Sequence, residues 1–316
     1  MDSFLRFAAI VTALCFSSIG QTTERPNEQI AAASSPSEAR IERKFVSGPF
    51  GQVHVRVASP DMIKARPPVV LFHPTPYSSN YFNGFMKDMA KDRMVIAIDT
   101  PGYGDSDSPE SLPTIRDYAE SAASALDSLG IGDSSKLVVG VLGYHTGGLI
   151  AAELALIRPH LVRRIVLAGL PFYTGEDRKS AYDKNAKPDA IARDGSHLLP
   201  KWEFATGAVE AGLPLERAQE HFNDAMQCYP DCWKAYHAVF TYESEKQLVK
   251  ITQPVLLMTN ASSLKEETEA AQKYLENSTL IHFPEITLGG FDLHSSALGN
   301  AVRKFLDSDD SINRRK

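Results

Sequence analysis

Cysteine and tryptophan are scarce in this sequence: 316 residues include three Cys and two Trp. Apolar runs of the roughly 20 residues that a membrane-spanning helix needs are missing too. The most extended apolar run, Phe7–Phe16, follows Arg6 and precedes the small residues Ser18-Ile-Gly20. Residues 1–20 therefore read as a signal peptide, with cleavage before Gln21. The mature chain is then expected to be secreted or periplasmic, with no stable membrane insertion after cleavage. Loss of the signal also removes Cys15, leaving Cys228 and Cys232 in Cys-Tyr-Pro-Asp-Cys. In an oxidising compartment that pair can close a small disulfide loop, the alternative being two free thiols. Positive charge is in short supply: 33 Lys and Arg face 39 Asp and Glu, a formal charge of −6. No segment concentrates basic residues, which argues against a nucleic-acid partner. A phosphate-cradling G-x-G-x-x-G is absent as well, since Gly102 and Gly104 belong to a different loop, and nothing else implies a cofactor.

What the chain does have is alternation. After a polar Ala/Ser/Pro-rich linker over 21–39, Arg43–Val57 reads as a hairpin around a Gly-Pro turn. Pro67–Phe72, Met94–Ile98, Lys136–Leu142 and Arg164–Gly169 are apolar runs of the kind that strands buried on both faces require. Helical runs separate them, one expected over about 80–91; another, opening at Thr114, has capping-box spacing and ends at Gly130. The alternation stops over 171–253 and resumes with Val255–Met258, a helix near 264–275, Thr279–Phe283 and a final helix near 297–306. This predicts an α/β fold with a mainly parallel, doubly wound sheet. Residues 40–170 and 254–308 form its core, 171–253 a helical cap inserted after the sixth strand, and 309–316 a polar tail.

Chemistry is advertised at Leu142-Gly-Tyr-His-Thr-Gly-Gly148. Strand, tight Gly-x-x-x-Gly turn and helix are the context of a nucleophile elbow, G-x-S-x-G. The apex here is His145, which cannot form the usual serine acyl ester. Imidazole is instead a base or a nucleophile near neutral pH.

Three landmarks carry a resemblance to a known family: His73-Pro-Thr-Pro76 at a strand end, Asp99-Thr-Pro-Gly-Tyr-Gly-Asp-Ser106, and the elbow with its double glycine. Together, over about residues 40–308, they resemble the α/β-hydrolase superfamily. The resemblance implies an oxyanion hole from the Thr75 and Thr146 N–H groups, and a family histidine in the loop before the last helix, where His294 stands. It also implies a pocket near His73, Tyr144 and, from the cap, Trp202. The family's acid position beyond the seventh strand lacks a carboxylate; Glu176 and Asp177 are substitutes, and Asp292 a partner for either histidine. His282 reads as core, Ser295 as the cap of the last helix, and Ser263-Leu-Lys-Glu266 as a capping box for the helix near 264–275. A zinc site from His73, His145 and His294 is conceivable, but the expectation is no metal and no cofactor. The expected partner is a small-molecule substrate: a small, largely apolar ester, lactone or related carbonyl compound, with His145 as base or atypical nucleophile. Two alternatives remain, a lyase, decarboxylase or isomerase on the same fold, and a catalytically inactive ligand-binding protein.

Overall fold

The computed structural model describes residues 39–60, 66–261 and 264–309. The expected signal peptide, nearly all of the linker, Ser263 and the tail beyond 309 lie outside the described residues. Eight strands form one sheet in the order β1-β2-β4-β3-β5-β6-β7-β8. β1 (Ile41–Gly48) and β2 (Gly51–Ala58) are the hairpin, and β2 pairs antiparallel with β4 (Val95–Ile98). All other pairings, through β3 (Val69–Phe72), β5 (Val139–Tyr144), β6 (Val162–Ala168), β7 (Val255–Asn260) and β8 (Ser278–Phe283), are parallel.

Successive side chains on a strand point to opposite faces, so each buried run feeds two apolar layers. Val70, Phe72, Ile96, Ile98 and Val141 pack in one cluster with α2 (Ile115–Ser128) and α3 (Thr146–Ile157). Val69, Leu71, Val95, Ala97 and Leu142 pack in the other with α1 (Asn83–Met89) and α11 (Ser295–Leu306). The Thr114 capping box forms as expected, its hydroxyl accepting from the Asp117 N–H while the Asp117 carboxylate accepts from the Thr114 N–H.

Between β6 and β7 lie α4 (Gly175–Asn185), α5 (Leu198–Thr206), α6 (Leu215–Gln227), α7 (Trp233–Thr241) and α8 (Ser244–Leu248), with no strand among the described residues there. Buried polar ties fasten this insertion to the loops at the strand ends. Asp224 on α6 accepts from the Ser78 N–H (2.8 Å) and hydroxyl (2.5 Å). Tyr103 donates to the Cys232 carbonyl (2.8 Å) and accepts from the Ala235 N–H (3.0 Å). Cys228 and Cys232 are joined by a disulfide, Cα–Cα 4.9 Å.

Three expectations need correction. The helix expected over 80–91 divides into a 3-10 turn, Ser79–Phe82, and α1, because the Ser78 hydroxyl accepts from the Asn80 N–H and starts a tighter winding. His282 is exposed, not core: β8 is the outer strand of the sheet, and the ring Nδ1 meets the Thr259 hydroxyl (2.9 Å). Ser295 does not cap the last helix from outside; it is the first residue of α11, and its hydroxyl donates to the Phe291 carbonyl (2.6 Å). No helix among the described residues is long and apolar enough to cross a membrane.

Candidate active site

The elbow is built by close backbone approach. A Cβ on Gly143 would lie 2.0 Å from the Gly147 carbonyl oxygen, and one on Gly147 would lie 2.0 Å from that of Phe72. Only glycine permits α3 to start this close to β3 and β5. The turn forces His145 to φ 50°, ψ −119°, a region costly for a residue with a β-carbon. Its N–H donates to the Ala168 carbonyl (3.0 Å) and its carbonyl accepts from the Gly148 N–H (2.8 Å), so the strained turn is bonded on both sides.

The imidazole of His145 lies against the Tyr144 ring, centroids 4.0 Å apart, and lines a cavity of about 300 Å³. Its Nε2 is closed off from solvent and has no hydrogen-bond partner among the described residues. Burial pushes the ring pKa down to about 4, with no opposing charge. The imidazole is therefore neutral at ordinary pH, and protonating it costs about 3 kcal/mol more than in water.

Thr75 and Tyr144 line the same cavity, as do Tyr77, Tyr81, Phe204 and His221. Thr146 is buried at the start of α3. Neither the Thr75 N–H nor the Thr146 N–H is donated to an acceptor among the described residues. Three other expected site residues are placed elsewhere. His73 is buried; its Nε2 accepts from the Thr100 N–H (2.9 Å) and its Nδ1 meets the Pro74 carbonyl (3.1 Å). Trp202 packs edge-on against Phe222, 5.5 Å between centroids, while its neighbours Glu203 and Phe204 reach the cavity. His294 ends α10 (Gly290–Leu293) and does not line the cavity; one turn earlier, Leu288 and Gly289 do.

The described end of β7 and the residue after it carry no carboxylate. The Tyr144 ring packs against Phe291 (5.1 Å) and Tyr81 (5.7 Å), and the side chain of Asn260, at the end of β7, donates to the Thr287 carbonyl. Glu176 and Asp177 are exposed in the first turn of α4. Asp292 pairs with neither His145 nor His294. It accepts from His221 Nε2 (2.9 Å) and Arg217 Nε (2.9 Å), both on α6. His221 was missed in the sequence, although a histidine on the buried Ala218–Ala225 face of an amphipathic helix is a readable signal.

Metal is not suggested by the donor sets. His73 has both ring nitrogens engaged. The cluster His54, Asp99 and Asp105 brings ligand atoms within 4.8 Å, but His54 already bonds Asp99 through Nδ1 (2.7 Å) and accepts from Arg43 at Nε2 (3.1 Å). Larger cavities, of about 670 and 830 Å³, lie beside α2 and α3 and near β2 and β4, and are lined by no histidine.

Comparison with known proteins agrees with this architecture. Residues 67–212 match the family model described as the alpha/beta hydrolase fold. A putative carbamate hydrolase, RutD, of Pseudomonas savastanoi is 28% identical over 210 residues, covering 63% of this chain and 76% of that one. An uncharacterized carboxylesterase, nap, of Bacillus subtilis is 31% identical over 42% of this chain and 44% of its own. Among solved structures, the esterase RhEst1 from Rhodococcus superposes with a TM-score of 0.68 at 21% identity, over 84% of this chain and 98% of that one. The chain belongs to the α/β-hydrolase superfamily.

Proposed function

We propose that this protein hydrolyses a small, largely apolar ester, lactone or related carbonyl compound, with neutral His145 as the nucleophile. The observation that carries the reading is the strained apex: the elbow presents an imidazole, uncharged by burial, to a largely aromatic cavity. A ring with a pKa near 4 is a feeble general base, yet its unprotonated form is fully populated and free to attack a carbonyl carbon. The unclaimed N–H groups of Thr75 and Thr146 are the donors for the oxyanion that forms. A cavity of about 300 Å³ admits only a small substrate, and Tyr77, Tyr81, Tyr144 and Phe204 make its wall aromatic. The insertion acts as the cap, contributing Phe204, Leu213 and His221 to that wall. Esterase and carbamate hydrolase relatives support acyl-group hydrolysis as the reaction class. Turnover of aryl esters and lactones by wild type and His145→Ala tests the reading. A loss of at least about 100-fold in the variant is expected, and equal rates would refute the role of His145.

A further inference from the structure

The hydrolytic reading leaves a step without a residue. If His145 takes the acyl group, something else must remove a proton from the water that releases it. His221 lines the same cavity as His145 and comes from α6 of the insertion, not from the sheet edge. Asp292 accepts from its Nε2, so the ring proton resides there and the lone pair is at Nδ1. That Nδ1 has no hydrogen-bond partner among the described residues. Two tyrosines hold the ring edge-on, Tyr77 at 5.2 Å and 89° and Tyr81 at 5.1 Å and 80°, which opposes a flip of the imidazole. Arg217 bonds the other oxygen of Asp292 and the Asn80 carbonyl (2.7 Å), pinning the carboxylate in place.

We propose that His221, oriented by Asp292, is the general base that activates the hydrolytic water, with Arg217 a positioning residue for the pair. The assignment rests on the hydrolytic reading above. His145 attacks the ester carbonyl carbon; a C–N bond forms, the C–O bond breaks, and the phenolate of an aryl ester leaves with the electron pair. Water then adds to the acyl carbon as its proton passes to His221 Nδ1. The C–N bond breaks, its electron pair returns to His145, the carboxylic acid departs, and the proton on His221 is given up to the phenolate or to solvent.

This arrangement separates acylation from deacylation, and that separation is the test. With p-nitrophenyl acetate, His221→Ala and His221→Gln should each show a burst of about one nitrophenol per chain followed by turnover slowed about 100-fold. The intact chain should gain one acetyl group, mapped to His145. Added imidazole should restore steady turnover of His221→Ala beyond its own solution rate and leave His145→Ala unchanged. His221→Gln keeps an amide donor for Asp292, so equal burst behaviour in the two variants separates loss of the base from loss of the fold. If wild type turns over and both His221 variants turn over within about threefold of it without acyl accumulation, the base assignment is wrong and hydrolysis stands. If folded wild type neither turns over nor acylates on any ester, the hydrolytic reading fails and takes this assignment with it.

Discussion

The neutral His145 has a thermodynamic signature that needs no substrate. Burial lowers its pKa from 6.5 to about 4, whereas in the unfolded chain it keeps an ordinary value. Between those two values the unfolded state binds a proton that the folded state refuses. Stability contributed by this site is therefore complete above the unfolded pKa and declines as pH falls towards 4. The full shift amounts to about 3 kcal/mol, of which about 2 kcal/mol is lost between about pH 8 and about pH 5. The ring is only partly buried, and cavity water reaching Nδ1 would screen the charge, so these values are ceilings. Urea unfolding of wild type and His145→Ala across that range isolates the term. Carboxylates held low in the fold, among them Asp88, Asp92 and Asp99, titrate in both proteins and cancel in the difference. Wild type should lose more stability on acidification than the variant, by about 1–2 kcal/mol at pH 5. Parallel curves would mean that the imidazole is solvated, and the argument for a neutral nucleophile would collapse.

Gly147→Ala should destabilise the fold by about 3 kcal/mol or more, because its β-carbon would strike the Phe72 carbonyl 2.0 Å away and backbone on both sides must move; thermal unfolding reads this directly, and an unchanged Tm would disprove the close approach. Replacing Cys228 and Cys232 together by serine should cost about 2 kcal/mol, the chain-entropy value for so short a loop. The same stability in reducing and non-reducing buffer for wild type would show that the bridge contributes nothing.

Local chemistry was legible and long-range pairing was not. The elbow could be read because Gly143, His145 and Gly147 fall within one turn and their spacing fixes the backbone. The strands could be read because parallel pairing buries both faces and leaves unbroken runs such as Val69–Phe72. His294 was chosen because the loop before the last helix looked open to the end; α10 instead coils through it, and Leu288 and Gly289 meet the cavity. The Asp292–His221 bond joins residues 71 apart, one on the core and one on the insertion. No periodicity predicts how α6 docks, so the carboxylate looked available to either of two histidines that it does not touch. Trp202 misled for a related reason: a helix shows only one face to a cavity, and on α5 that face carries Glu203 and Phe204.

The backbone at residue 145 bears on the proposed role of its side chain. A non-glycine residue at φ 50°, ψ −119° costs on the order of 1–3 kcal/mol. Glycine would remove that strain, and the neighbouring Gly143, Gly147 and Gly169 show that this part of the chain uses glycine wherever space or dihedral requires it. Histidine adds two further costs, an Nε2 without a partner and a desolvated ring. A turn serving only to pack α3 against the sheet would shed all three at once by substitution with glycine. The penalties fall on the apex side chain, which lines the cavity together with Tyr144 and His221. That concentration of cost supports a chemical role for His145 better than any packing role does.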